Sequence, residues 1–547
     1  MRPSFTVAAF AAFISLGLGG TVFGLAAVNT QDDWRDRVLR ELDLSDFEIV
    51  RINLPDPKFR GNGFLIEFET EEGLYSFVTR PHSVRSGHFE VLEDVGQGEL
   101  RAVPLPPETT YRGEDGSGAI MAASIHLDRL TAWIALSDES VMGIQPLDSI
   151  VVGADPEEYI VYEGDDVVPG DWQCGVPDDA NHDADQGIGS SGLLTCAHEI
   201  TEVAFDADFE FFNRLGNSVP NVVANIESLM NALNVIYERD VLIREVIRTI
   251  IVRTSEPDPY TTTDPGSLLN QFRSHWNANH NNIARDHAHL MTGKNLNGGV
   301  IGIAFLGVIC NVSASGYGLS ESLFTGNFTF RVALTAHEMG HNWNAQHCDS
   351  QGSNCRIMCS GLGGCSGNIT SFGSFEIGQI SSFRNTRACI YSPCANLVDF
   401  AHDWGSLVSG GLQELRFSDN TRLVSRSRFG FQAAEPNLVI LRVGAIAGAT
   451  STTADTIDLR FEGRLNTAGG TTRLKLRNWT TNQLQTVATF PIGTTEIVEV
   501  VNDLPAANRV RASDRRIELA VHQFVVVTFS VLGFNSPIDH IEILVEE

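Results

Sequence analysis

Positive charge is scarce in this chain: 38 Lys and Arg stand against 68 Asp and Glu, a formal net charge of −30 over 547 residues. A surface of that sign repels a phosphate backbone, which binding proteins neutralise with Lys and Arg, so nucleic acid is excluded as the expected partner. Long apolar runs are sparse as well. Past the N-terminus, the apolar stretch from Gly299 to Cys310 is too short for a membrane helix and suits a buried strand. No repeat of fixed period occurs, and 43% hydrophobic with 19% charged residues excludes collagen, a long coiled coil and a mainly disordered chain. What is present is length enough for about three or four folded units at roughly 150 residues each.

The one long apolar segment lies at the start. Met1-Arg2-Pro3 gives a weakly positive opening, Phe5 to Ala27 is uncharged, and Gly24-Leu25-Ala26 has the small residues that a signal peptidase reads. Residues 1–26 are therefore expected to be a signal peptide and the protein to be secreted, where cysteines oxidise; the alternative is an uncleaved membrane anchor, since the run is long enough to span a bilayer. From about Asp32 to Gly170 the sequence reads as short β-rich stretches, such as Phe64 to Phe68 and Ala132 to Leu136. Asp178 to Gly192 is polar and without apolar periodicity, the mark of an exposed linker.

An α/β unit follows. Val222, Ile226, Leu229, Met230, Leu233 and Ile236 recur at helical spacing, and Val241 to Val252 turns β-branched. Further helices are expected near Leu268 to Trp276 and from Asn327, with an apolar strand from Val300 to Ile309 between them. After Cys394, alternating segments such as Ile457 to Phe461, Leu474 to Arg477 and Ile541 to Ile543 predict half-buried antiparallel strands of a β-sandwich, residues 396–547.

Chemistry concentrates in His337-Glu338-Met339-Gly340-His341-Asn342-Trp343-Asn344-Ala345-Gln346-His347. On a helix, His337 and His341 project from one face and converge on one metal ion, and a third imidazole from His347 leaves a tetrahedral zinc one open position. For His347 to return to the ion the helix must end and the chain turn sharply. Asn344 sits at that turn, and asparagine is among the few residues besides glycine that visit the left-handed region readily. Zinc lowers the pKa of a bound water, and Glu338, directly after a ligand, is the expected base.

These residues resemble the extended zinc motif of the metzincin endopeptidases, and Cys355-Arg356-Ile357-Met358-Cys359 resembles their Met-turn in its reprolysin (adamalysin) form. The stretches 204–218 and 285–310 resemble the opening and central strand of such a domain, so the likeness spans roughly 195–395. It implies an α/β metzincin-type fold, Zn2+ as cofactor, protein or peptide substrates, and Met358 beneath the metal without binding it. Asn344 replaces the family's usual glycine, Asp349 lies one position later than the usual acid because Cys348 intervenes, and Ser360 stands where astacin-like relatives carry a tyrosine ligand.

Asp171-Trp172-Gln173-Cys174-Gly175-Val176-Pro177-Asp178 resembles the cysteine switch of matrix metalloproteinase propeptides, with Gln173 in place of arginine. Thr110-Tyr111-Arg112-Gly113 and Ile144-Gln145-Pro146 resemble reprolysin propeptides. Parity agrees, since 9 cysteines leave one over after pairing, and a thiolate is a good zinc ligand. Cys174 as zymogen ligand leaves Cys196, Cys310, Cys348, Cys355, Cys359, Cys365, Cys389 and Cys394 for disulfides of open connectivity. The alternative pairs Cys174 with Cys196 and leaves a thiol elsewhere.

The expected organisation is a multidomain protein: signal peptide 1–26, β-rich propeptide 27–177, linker and activation region 178–193, zinc metalloprotease domain 194–395, and an all-β accessory domain 396–547 for substrate or cell-surface and matrix material. The expected activity is that of a secreted zinc endopeptidase made latent, with an adhesion protein carrying an inactive metzincin-like domain as the alternative. His275, His280, His287 and His289 read as packing or polar-surface residues rather than a second metal site. Asp206, Asp208 and Glu210 read as a solvated acidic face, with Ca2+ possible there but without a calcium-loop pattern.

Overall fold

A computed structural model of the chain describes residues 30–96, 98–138, 140–176, 198–312, 314–387, 389–390, 395–415, 422–429, 437–447, 456–525 and 533–546. The signal peptide 1–26, the linker 178–193, Cys196 and Cys394 lie outside them.

The N-terminal segment is β-rich. Eight antiparallel strands form one sheet, in the order Glu48–Arg51, Glu158–Glu163, Val141–Pro146, Arg129–Ala135, Ile120–His126, Thr110–Glu114, Gly73–Pro81 and Phe64–Thr70. Met121, Ala123, Ile125, Leu130 and Ile134 fill a core on one side of it. Alternation along the same strands sends Ala122 and Trp133 to the other side, where they join the core of the next unit.

That unit is built on a second sheet of eight strands. Its order is Gln173–Cys174, Val300–Ala304, Tyr317–Ser320, His287–Met291, Glu199–Ala207, Ile243–Arg253, Arg85–Asp94 and Leu100–Ala102. The pairings are parallel except for Val300–Ala304 with Tyr317–Ser320 and Arg85–Asp94 with Leu100–Ala102. Strands from before the linker thus complete the sheet at both margins, and the boundary at 178–193 does not divide one sheet from the other.

The expected helices are present. Val219–Val241 begins at Ser218, whose side chain accepts from Asn221 N, and ends where Leu242 turns left-handed at φ 54°. Pro265–Asn279 is capped by Asp264. The histidine helix Phe328–Asn342 starts at Asn327, whose side chain accepts from Phe330 N. Its entry is held by the N-terminal segment: Asn327 Nδ2 donates to Leu42 O at 2.7 Å, and Phe328 N to Gln145 Oε1 at 2.9 Å.

One strand is shorter than expected. The apolar run from Val300 extends only to Ala304, because Gly307 takes φ 63° and the chain turns back. Gly307 N and Val308 N then donate to His341 O and Asn342 O at 2.8 and 2.9 Å, tying this loop to the end of the histidine helix. The run also lies near the sheet margin, while His287–Met291 holds the central position.

Past Ala395, two antiparallel sheets share one apolar core. Ile457, Leu459 and Phe461 from one and Leu474 and Leu476 from the other point inward, as the alternation predicts.

Candidate metal centre

Four side chains from three stretches of chain meet at the end of the histidine helix. One ligand atom from each of Cys174, His337, His341 and His347 lies within 4.8 Å of the others. His337 and His341, one turn apart, have their Nε2 atoms 3.1 Å apart. Each is aimed by its other nitrogen: His337 Nδ1 lies 2.7 Å from Ile357 O, and His341 Nδ1 2.7 Å from Ala345 O. With Nδ1–H donating to a carbonyl, Nε2 presents a lone pair. Burial lowers the pKa of His337 to about 3 and that of His341 well below its ordinary value, so both rings are neutral ligands.

The route to His347 depends on Asn344, which adopts φ 74°. Trp343 N and Ala345 N donate to Met339 O and Gly340 O at 3.0 and 2.9 Å, so the chain reverses within three residues of the helix end. His347 then sits with its ring centroid 4.8 Å from that of His341 and 5.3 Å from that of His337. Met358 is buried against the histidine helix, where a Cβ at Gly340 would meet its Sδ at 2.9 Å. The same turn supplies the carbonyl of Ile357 that orients His337.

Cys174 lies beside these imidazoles, and its alternative pairing with Cys196 falls outside the described residues. Its Sγ lies 3.4 Å from His341 Nε2 and 3.7 Å from Glu338 Oε2. The backbone around it is held on both sides: Cys174 N donates to Ser360 O and Gly175 N to Gly302 O, both at 2.8 Å, and Leu362 N donates to Trp172 O at 3.2 Å. Trp172 packs edge-on between Phe324 and Phe330, with centroids at 4.8 and 4.7 Å.

Zinc suits this donor set. Two ligands at ~2.0–2.1 Å on a tetrahedral ion stand about 3.3 Å apart, and a sulfur at ~2.3 Å stands about 3.5 Å from a nitrogen neighbour. Without a cation, two Nε2 lone pairs would face each other at 3.1 Å. Glu338 is fully buried, and burial raises its pKa well above the usual carboxylate range. Its carboxyl lies against the strand Val300–Ala304 at Gly302, where a Cβ would meet Oε1 at 2.4 Å. Gly302, Trp172, Ile357 and Ala345 lie within stretches that the sequence singled out, but their contacts with the site come from the fold.

The family model described as Metallo-peptidase family M12, of the Reprolysin_5 type, matches residues 197–377. Residues 197–377 are a reprolysin-like metzincin domain. Peptidases of this family depend on zinc and act on protein substrates. Among solved structures, metalloproteinase-II from Bacteroides fragilis is similar at 12% identity and a TM-score of 0.37, covering 60% of this chain and 92% of that one.

Within the reprolysin-like domain, two side-chain groups have structural roles. Asp206, Asp208 and Glu210 do not form the solvated face expected. Asp206 is fully buried and accepts from Arg253, Tyr260 Oη at 2.6 Å and Trp276 Nε1 at 2.8 Å. Asp208 is also buried and caps the short helix after it, accepting from Phe211 N and Gly293 N at 2.8 and 2.9 Å, while Glu210 pairs with Lys294. Of the four other histidines, His287 meets Glu245 at 3.0 Å, His289 meets Ser320 at 2.9 Å, and His275 and His280 pack together at the end of Pro265–Asn279.

Proposed function

We propose that the chain is a secreted zinc endopeptidase made as a latent zymogen, with residues 27–177 as its propeptide. The observation that carries this reading is the thiol of Cys174 among the imidazoles of His337, His341 and His347. Disulfides Cys310–Cys389, Cys348–Cys355 and Cys359–Cys365 support an oxidising compartment. When bound, zinc supplies a Lewis acid that activates water and polarises the scissile carbonyl.

His337, His341 and His347 would hold the ion, the first two aimed by the carbonyls of Ile357 and Ala345. Cys174 would hold it with them and keep water out. Glu338 Oε2, 3.7 Å from Sγ, faces whatever replaces the sulfur. It is the group placed to take the proton from an attacking water and to return it to the leaving amine. The strand Val300–Ala304, now paired through Gly302 with the segment at Cys174, is the edge on which an extended substrate would lie once that segment leaves.

Zinc content and hydrolysis of a protein substrate, measured on the intact chain and after cleavage within 178–193 and removal of the N-terminal part, test the reading. Stoichiometric zinc throughout, activity only after removal, and at least a hundredfold loss in Glu338→Ala with zinc retained are expected. A processed wild type that holds zinc and hydrolyses nothing would overturn it.

A further inference from the structure

Away from the metal centre, the N-terminal sheet and the reprolysin-like domain line a solvent-open cavity of about 300 Å³ with polar and apolar groups. Its floor is a pair of cross-strand couples, Ser124 opposite Thr131 and His126 opposite Arg129. They continue the sheet face that is apolar at Ala122 and Trp133. Asn221, Asn225 and Ser228, at steps of four and three along Val219–Val241, line the opposite wall. Arg331, one turn into the histidine helix, closes it.

Arg331 is only 9% exposed, and no carboxylate pairs with it among the described residues. Nε donates to Ser322 O at 2.5 Å and Nη2 to Asn225 Oδ1 at 2.6 Å and Ser322 Oγ at 3.5 Å, which leaves Nη1 without an acceptor among the described residues. Its charged neighbour, Arg214, is a second cation. Burial lowers its pKa to about 10, so it remains charged at neutral pH. Arg129 is already matched by Asp148 at 2.7 Å and does not relieve the imbalance. A largely buried charge without an ion partner is unfavourable. In a chain with 30 more acidic than basic residues, an acid could readily have been placed there.

The remaining polar groups are donors in waiting. Asn225 accepts from Arg331 through Oδ1, so its Nδ2 is left to donate, and the hydroxyls of Thr131 and Ser228 have no hydrogen-bond partner among the described residues. The volume is several times the ~30 Å³ share of one water, room for a small anion and part of its hydration.

We propose that this cavity binds a small oxyanion, held by Arg331, Asn225, Ser228 and Thr131, which fastens the N-terminal sheet onto the helix that carries His337 and His341. The site is independent of hydrolysis and of the thiol at Cys174. Its ligand touches both sides of the interface, so binding stabilises the docked arrangement by mass action.

The test is calorimetric titration of the intact chain with sulfate, phosphate and acetate at constant ionic strength, with unfolding midpoints measured in parallel. Sulfate and phosphate stabilise any fold by exclusion without saturating, so the signal is a saturable component. At least one of the three is expected to saturate in the millimolar range or below, and which one does separates a tetrahedral oxyanion from a carboxylate. Arg331→Gln should weaken that binding at least tenfold. Ser228→Leu, which fills the cavity from a half-buried position and keeps the guanidinium, should do the same and serves if Arg331→Gln does not fold. Arg51→Gln, an exposed arginine on a distant strand of the sheet, should leave it unchanged. Absence of a saturable component for all three anions, or one that survives in Ser228→Leu, would overturn the proposal.

Discussion

Asn344 shows how much of the metal centre rests on one backbone torsion. At φ 74° it directs His347 back towards His337 and His341, and its Oδ1 covers Gly307, where a Cβ would approach it at 2.7 Å. Asn344→Gly should leave fold and zinc affinity nearly intact. Asn344→Val should cost about 1–2 kcal/mol and speed zinc loss to a chelator; equal zinc retention in the two variants would contradict this. Asp286 carries a pH effect of definite sign. It is buried, accepts from Glu202 N at 2.9 Å, and is pushed up to about 7, chiefly by burial. The folded state therefore binds a proton that the unfolded state, with its ordinary carboxyl, has released. Stability from this group is present at low pH and lost as pH rises from about 4 to about 7. Asp286→Asn should accordingly gain stability relative to wild type between pH 5 and pH 8, by on the order of 1–3 kcal/mol in denaturant unfolding; an unchanged difference would remove the assignment. At this scale the sequence was informative where chemistry demands particular atoms at fixed spacing: His337, Glu338, His341, His347 and Asn344 declare themselves. Gly302 does not, because its importance is the carboxyl of Glu338 pressed against it across the fold.

The proposed latency rests on the segment Trp172 to Val176, laid between the strand Val300–Ala304 and the chain at Ser360 to Leu362. Its hold is main-chain hydrogen bonding on both edges together with Trp172 between two phenylalanines. The glutamine that replaces the expected arginine at 173 is exposed, so the anchoring does not depend on an ion pair there. Trp172→Ala should therefore raise the activity of the uncleaved chain several-fold, while Gln173→Ala leaves it latent; the reverse order would place the anchor in the side chain of Gln173. Helices were legible from period and caps, as at Ser218, Asp264 and Asn327. The apolar run after Val300 misled in length because periodicity registers burial, and Phe305 to Ile309 are drawn against the histidine helix as a loop.

On the scale of the whole molecule, the N-terminal segment is built into the reprolysin-like domain. Arg85–Asp94 pairs with Ile243–Arg253 in parallel, and buried Arg253 bridges Asp94 on one side and Asp206 on the other. Arg85 reaches buried Glu227 at 2.5 Å. None of this was legible in the sequence, where a polar linker suggested separable units: strand partners distant along the chain leave no local signature, and a lone arginine does not announce its acid. The C-terminal sheets were legible because each strand alternates cleanly over a single core. Cys174, from before the linker, meets three histidines from after it. Zinc K-edge X-ray absorption on the intact chain and its Cys174→Ala variant tests whether they share one ion. The account predicts a shell of three nitrogens at ~2.0–2.1 Å and one sulfur at ~2.3 Å in the wild type, with the sulfur replaced by oxygen in the variant. A wild-type shell without sulfur, or one that is the same in both proteins, would contradict it.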